Sequence, residues 1–398
     1  MTPVTSIRPS HRVFLPIVLV MCLGATFYMY YSPVKSWLRC SDAGDFQNAV
    51  CSKACLNELE VEIHKQMMKN CTVNETLVTG QELATRFLQP VEEHPADPSE
   101  TLVLLWHWPF GFQFDLEACE SQYGIKGCRL TLDRNLLDKA HGVMFHIRDI
   151  RGDLPYLKTL SRPALQKWVW LSMESPTNTP QLPEAEDMFN LTSSYRRDSD
   201  IWIPYGRLVE ISEEDQPFQI PPKDKLVCWI ISHWEEKLWR SGYFNEFSQH
   251  IKVEGYGNHF GRHIDNNDFS KIMSSCKFYL SFENSIHQDY ISEKVFNPMM
   301  AGTVPVVLGP PRENYEEYLP ADSFIHINDF KTSKELADYL LHLDQNQEMY
   351  ERFFTWRKYF VPTASNFGQE HACYVCDHLK RNKNFRVFKN VNKWYFSS

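Results

Sequence analysis

FENSIHQDYISEK, residues 282–294, decides the reading of this chain. The apolar run just before it, residues 277–282, has the composition of a buried strand. Polar residues follow at once, and a helix is expected from near Tyr290. In an open α/β sheet a ligand sits beyond the carboxyl ends of the strands, where the next helix begins. Here that place holds a carboxamide (Asn284), a phenol (Tyr290), a carboxylate and an ammonium group (Lys294). Free N–H groups and the positive end of a helix dipole suit an anion. The run is therefore built to hold a phosphate-bearing ligand.

Strands alternate with helices on both sides of it. After Pro221-Pro222, strands are expected at 226–231, 252–256, 277–282, 304–308 and 323–327. Helices are expected at 235–250, from near 290 to 300 with Gly302 as its stop, at 334–343 and at 350–360. Before that break, residues 102–108, 129–132, 142–147 and 167–173 read as strands, the last ending at Glu174-Ser175-Pro176. Alternation of this kind implies parallel sheets covered on both faces. Two such units joined by a Pro-rich break predict an α/β fold of two Rossmann-like domains facing a cleft.

The chemistry follows from residue type and place. Lys294 can neutralise a phosphate as a point charge. Glu293 cannot serve the same anion, so its carboxylate suits vicinal ribose hydroxyls. Tyr290 lies one helical turn from both. Arg240, on the first helix of the second unit after the polar loop Ser232-His233, is either a second cation for a diphosphate or a surface arginine. Glu174 ends a strongly apolar strand, where partial desolvation would raise its pKa and make it a better base near neutral pH. Tyr195-Arg196-Arg197-Asp198-Ser199-Asp200 with Ile203-Pro204-Tyr205-Gly206 is either a solvated turn or a hinge that brings Tyr205 to the ligand. His146, with Arg148 and Asp149, reads as a hydrogen-bonded structural residue. No GxGxxG and no GxxxxGK[ST] occurs, so neither a dinucleotide oxidoreductase nor a P-loop NTPase is supported.

The whole chain has 398 residues, a formal net charge of −9, and 41 Lys+Arg against 50 Asp+Glu. General nucleic-acid binding needs a basic surface and is excluded. Residues 14–31 carry no charge and are just long enough to span a bilayer. Arg8, His11 and Arg12 precede them and keep the tail, 1–13, cytoplasmic, although Lys35 and Arg39 weaken the bias. No small-residue cleavage site follows, so an uncleaved anchor is expected rather than a signal peptide. Residues 32–100 read as a stem. Eleven cysteines in an oxidising lumen read as disulfides. Cys373-x-x-Cys376 has no second pair at ligand spacing, so no metal site is expected. Sequons at Asn70, Asn74 and Asn190 agree with a lumenal location.

Together these motifs resemble the α1,3-fucosyltransferase family. The stretch from Phe278 to Tyr315, with FENSIHQDYISEK and AGTVPVVLGPPRENY, is specific to it, and KWVWLSMESPTNTP and YRRDSDIWIPYG are similar to two further signatures. The resemblance implies a GT-B fold, with an acceptor domain over 101–220 and a GDP-β-L-fucose domain over 221–362. A tail, 363–398, would return to the first domain. It implies that Glu174 is the general base, that Arg240 and Lys294 bind the pyrophosphate and that Glu293 holds the ribose. Ser232, Asn284, Tyr290, Tyr279 and Tyr205 would complete the donor pocket. It pairs Cys119 with Cys373, Cys128 with Cys376, and Cys228 with Cys276. Some relatives place Gln directly after the Gly of WPFG; this chain has Phe112 there and Gln113 next, so these two mark the acceptor edge. The resemblance further implies N-acetyllactosamine-type acceptors, a single-pass Golgi membrane protein with a lumenal catalytic part, and no obligatory cofactor. Divalent metal stimulation and a homodimer stay open. Two rivals remain at this level: a Golgi glycosyltransferase with another nucleotide sugar, and a non-catalytic lectin-like relative.

Overall fold

The computed structural model describes residues 100–212 and 217–397. The expected anchor, all but the last residue of the expected stem, and the sequons at Asn70 and Asn74 lie outside the described residues. Among the described residues no helix is long and apolar enough to cross a membrane.

Six strands form the first sheet: β1 (Thr101–Leu105), β2 (Cys128–Thr131), β3 (Gly142–His146), β4 (Lys167–Ser172), β5 (Leu191–Ser194) and β6 (Ile201–Trp202). Their order is β2-β1-β3-β4-β5-β6 and every pairing is parallel. Side chains of a strand alternate between faces, and here both faces are buried. Leu102, Leu104, Trp168 and Trp170 enter one core; Val103, Leu105, Val169 and Leu171 enter the other. Such strands read as unbroken apolar runs, which is why β1 and β4 are evident in the sequence.

After β7 (Gly206–Glu210), a second parallel sheet contains β8 (Lys225–Ile230), β9 (Val253–Tyr256), β10 (Cys276–Phe282), β11 (Val304–Leu308) and β12 (Ile325–His326). The order is β12-β11-β10-β8-β9. The chain runs one way from β8 to β9 and the other way from β10 to β12, so the switch point falls between β8 and β10. Ligands of open α/β sheets bind at such a point. Two parallel, doubly covered sheets make this a GT-B-like α/β fold.

β13 (Phe360–Ala364) then pairs antiparallel with β7, so the two chain segments outside the sheets are zipped together. The remaining residues belong to the first half. Helix Gln369–Arg381 lays Ala372, Cys373, Val375, Cys376 and Leu379 onto the first sheet. Helix Val391–Phe396 sends Val391 and Tyr395 into the other core of that half, with Tyr395 against Trp170 at 4.5 Å between ring centroids. Disulfides join Cys119 to Cys373, Cys128 to Cys376 and Cys228 to Cys276, the pairing that the resemblance implies. The first two close sequence separations of 254 and 248 residues, and long closed loops restrict an unfolded chain most.

The sequon at Asn190 is not the exposed acceptor that its pattern suggests. Asn190 is 1% exposed; its Nδ2 donates to Arg386 O at 2.5 Å, and its Oδ1 accepts from Trp168 N at 2.8 Å. Asn190 is therefore a buried, hydrogen-bonded side chain rather than part of an exposed loop.

Candidate active site

β10 delivers its polar cargo at the switch point. The helix after it, which we call α1, spans Glu293–Met300, three residues later than helical spacing suggests. Ser292 is its cap and accepts from Lys294 N. Asp289, at φ 63, turns the chain before it, so Tyr290 and Ile291 are buried coil rather than a first helical turn. Lys294 thus stands at the second helical position, where the dipole favours an anion. Its Nζ lies 3.0 Å from Ser292 Oγ, 3.0 Å from Glu293 Oε1 and 3.4 Å from Glu283 Oε2.

Arg240 sits on a shorter helix than expected, Trp239–Phe247, and is no surface residue: it is 5% exposed. Nη2 donates to His233 O at 2.5 Å and Nη1 to Phe282 O at 3.4 Å, so the guanidinium spans the ends of β8 and β10. Its Nε is buried without a hydrogen-bond partner among the described residues. Burial holds its pKa below the usual arginine value. A cation placed so, with neutral carbonyls as its hydrogen-bond partners, is poised for an anionic ligand.

A cavity of about 600 Å³ opens above these groups, and both halves line it. Arg148, Glu174 and Asn178 come from the first half; Ser232, His233, Arg240, Tyr279, Asn284, Glu293 and Lys294 come from the second. Burial pushes the Glu174 carboxyl above its ordinary pKa, with Arg148 and then Lys294 pulling it back. Its backbone is fixed from behind: Tyr395 Oη donates to Glu174 O. Short polar bonds cross between the halves beside it, Ser285 Oγ to Ser175 Oγ at 2.6 Å and Thr177 Oγ1 to His287 Nε2 at 2.7 Å. Arg197 N donates to Asp289 Oδ2 at 3.1 Å, so the charged run at 195–200 ties the halves together.

Tyr205, Tyr290, Phe112 and Gln113 stand apart from the cavity lining. Tyr205 and Tyr290 form a buried aromatic cluster with Tyr195 behind Met173, and Tyr205 Oη donates to Met173 O. They brace the strand that carries Glu174. Tyr279 lines the cavity, with its hydroxyl on the Ile230 backbone at 3.3 Å. Phe112 is 67% exposed and Gln113 is also exposed; neither lines the cavity. Phe110 takes the inward place instead, at φ 53, with its ring 4.3 Å from His146 and 5.1 Å from the Arg148 guanidinium. His146 bonds Asp149 Oδ2 through Nδ1 at 2.7 Å, a structural contact. Sequence reasoning gave no role to Arg148 and none to Glu283; a charged residue directly after a buried strand is the signal both carried.

A carboxylate from one Rossmann-like half thus shares a cavity with two cations from the other. Residues 98–206 match the family model for the fucosyltransferase N-terminal region, and residues 220–394 match that for glycosyltransferase family 10 (fucosyltransferase), C-terminal part. The chain is 50% identical over 299 residues to 4-galactosyl-N-acetylglucosaminide 3-alpha-L-fucosyltransferase 9 of Mus musculus, covering 75% of this chain and 83% of that protein. It is 38% identical over 305 residues to alpha-(1,3)-fucosyltransferase 7 of Homo sapiens, covering 76% and 88%. A crystal structure of an alpha1,3-fucosyltransferase superposes on 73% of this chain and 93% of its own, with a TM-score of 0.49 and 16% identity. The chain belongs to the fucosyltransferases of glycosyltransferase family 10.

Tyr395→Phe tests the support behind Glu174. The variant keeps the ring against Trp170 and loses the hydroxyl that bonds Glu174 O and Ser172 Oγ. Expected are a stability loss of roughly 1 kcal/mol and a fall of about tenfold in kcat. Thermal melts and steady-state kinetics check the two separately.

Proposed function

We propose that the protein transfers L-fucose from GDP-β-L-fucose to the 3-hydroxyl of N-acetylglucosamine in N-acetyllactosamine-type glycans, with inversion. The observation that carries this reading is the single cavity shared by Glu174, Arg240 and Lys294. The galactosyl-N-acetylglucosaminide acceptor in the name of the mouse relative supports the acceptor. Glu174 removes the proton of the acceptor hydroxyl as that oxygen bonds to the anomeric carbon of fucose. The bond from that carbon to the β-phosphate oxygen breaks, and GDP leaves with the electron pair. Charge grows on the departing phosphate, where Arg240, Lys294 and the N-terminus of α1 stabilise it. Glu293 reaches the ribose, and Asn284, Ser232 and Tyr279 complete the donor wall. With two cations at the diphosphate, no bound metal is obligatory.

The pH dependence follows. Glu174 must be ionised to act, and its folded pKa is raised. Activity is expected to fall with acid through a pKa above the ordinary carboxylate value, and a kcat/KM profile for the acceptor reports it. A profile flat down to the normal carboxylate range removes Glu174 as the base. Incubation of the full-length protein with a panel of labelled nucleotide sugars and a glycan array tests the whole reading. Transfer from GDP-fucose alone, onto lactosamine chains, is expected; transfer from another donor sinks it. Residues 14–31 supply the anchor for the proposed Golgi location, which imaging of a tagged chain at the cell surface only would refute.

A further inference from the structure

We propose that Glu283 is a positioning residue of the diphosphate clamp: it holds the Lys294 ammonium charged and in place, and so keeps donor affinity steady as pH rises above neutral. This rests on the reading of Lys294 as a phosphate ligand.

Glu283 follows β10 directly and is 1% exposed. It does not line the cavity, so it acts only through other groups. Its backbone N–H donates to Leu308 O at 2.8 Å, which locks it to β11. Oε1 accepts from Ser292 N at 2.8 Å, Oε2 accepts from Ser292 Oγ at 2.8 Å, and Oε2 lies 3.4 Å from Lys294 Nζ. One carboxylate therefore ties the cap of α1 to the ammonium beside it. Room for it is kept by Gly309, where a Cβ would lie 3.2 Å from Glu283 Cγ and 2.3 Å from Tyr315 Oη.

The charges facing Lys294 come from four elements. They are Glu283 after β10, Glu293 on α1, Arg240 on the helix Trp239–Phe247, and Glu174 at the end of β4. Burial works against the ammonium, but Glu283 and then Glu293 outweigh it and hold its pKa above the ordinary lysine value; Arg240 opposes them. The Glu293 side chain is 49% exposed, so water screens its pull. Donor binding would turn Glu293 to the ribose and leave Glu283 as the buried counter-charge. The neighbouring phenols of Tyr205, Tyr279 and Tyr290 are kept neutral by burial.

Glu283→Gln keeps the volume and an acceptor for Ser292 N–H but removes the charge. Burial would then push Lys294 down into the window between neutral and mildly alkaline pH. The test is GDP affinity of the purified full-length protein by calorimetry at pH 7.0 and pH 8.5. Wild type is expected to change by less than about threefold, and Glu283→Gln to weaken by about tenfold or more across the same interval. Glu283→Gln with Lys294→Arg is expected to be flat again, because a guanidinium stays charged. A Glu283→Gln profile parallel to wild type overturns the proposal. If that variant does not fold, a tenfold loss of affinity in wild type across the interval overturns it equally. Lys294→Ala at pH 7.0 separates the two levels: unchanged GDP affinity there removes the phosphate role of Lys294, whereas a weakened Lys294→Ala beside a parallel Glu283→Gln removes only the role of Glu283.

Discussion

Glu174→Gln is expected to lower kcat for fucose transfer by about a thousandfold, or about 4 kcal/mol in the barrier, with GDP-fucose affinity nearly unchanged. The reason is local. The side chain meets the cavity from the first half, while the cations that hold the nucleotide belong to the second. Glutamine fills the same volume but its amide cannot take a proton from the acceptor. The backbone of residue 174 stays fixed through the Tyr395 hydroxyl, so the pocket should not collapse. Burial already disfavours the ionised Glu174, and a neutral amide removes that penalty; the melting temperature should hold or rise. Rapid-quench turnover with calorimetry for GDP separates chemistry from binding. Full activity in the variant would dismiss Glu174 as the base.

Lys294→Ala should act on the opposite term. A charge-assisted hydrogen bond of about 1.5–3 kcal/mol is lost, which predicts GDP binding weaker by about ten- to a hundredfold. The variant also leaves Glu283 buried without its ammonium, so stability should fall by a few kcal/mol as well. That second effect is absent from Lys294→Met only if Glu283 takes up a proton, because methionine likewise removes the charge. Measured by calorimetry at two salt concentrations, the loss in affinity should be partly masked at high salt. Unchanged affinity at low salt would count against the clamp.

Much of this was legible because the decisive elements are local. Strands buried on both faces write themselves as apolar runs, so β1, β4, β8, β10 and β11 could be placed, and with them Glu174 and Glu283 just past strand ends and Lys294 near the start of the helix after β10. The start of α1 was displaced because Tyr290 and Ile291 extend an apolar pattern into coil, while the turn at Asp289 has no strong sequence signature. What depends on distant partners could not be read. Asn190 is buried by Arg386, 196 positions away, and a sequon carries no sign of that. Tyr395 reaches Glu174 across 221 positions. The same holds for Tyr205 and Tyr290, whose aromatic character suits a binding wall and a packed brace equally well. Arg240 could be weighed either way from its helix; only the carbonyls of His233 and Phe282 reveal it as a buried cation.

The most direct measurement is a crystal structure of the protein with GDP and N-acetyllactosamine bound together. Expected are a Glu174 carboxylate oxygen within about 3 Å of the 3-hydroxyl of N-acetylglucosamine, and the β-phosphate against Lys294 and Arg240 on the far wall of the same cavity. A lactosamine whose 3-hydroxyl points away from Glu174, or a diphosphate seated elsewhere, would contradict it.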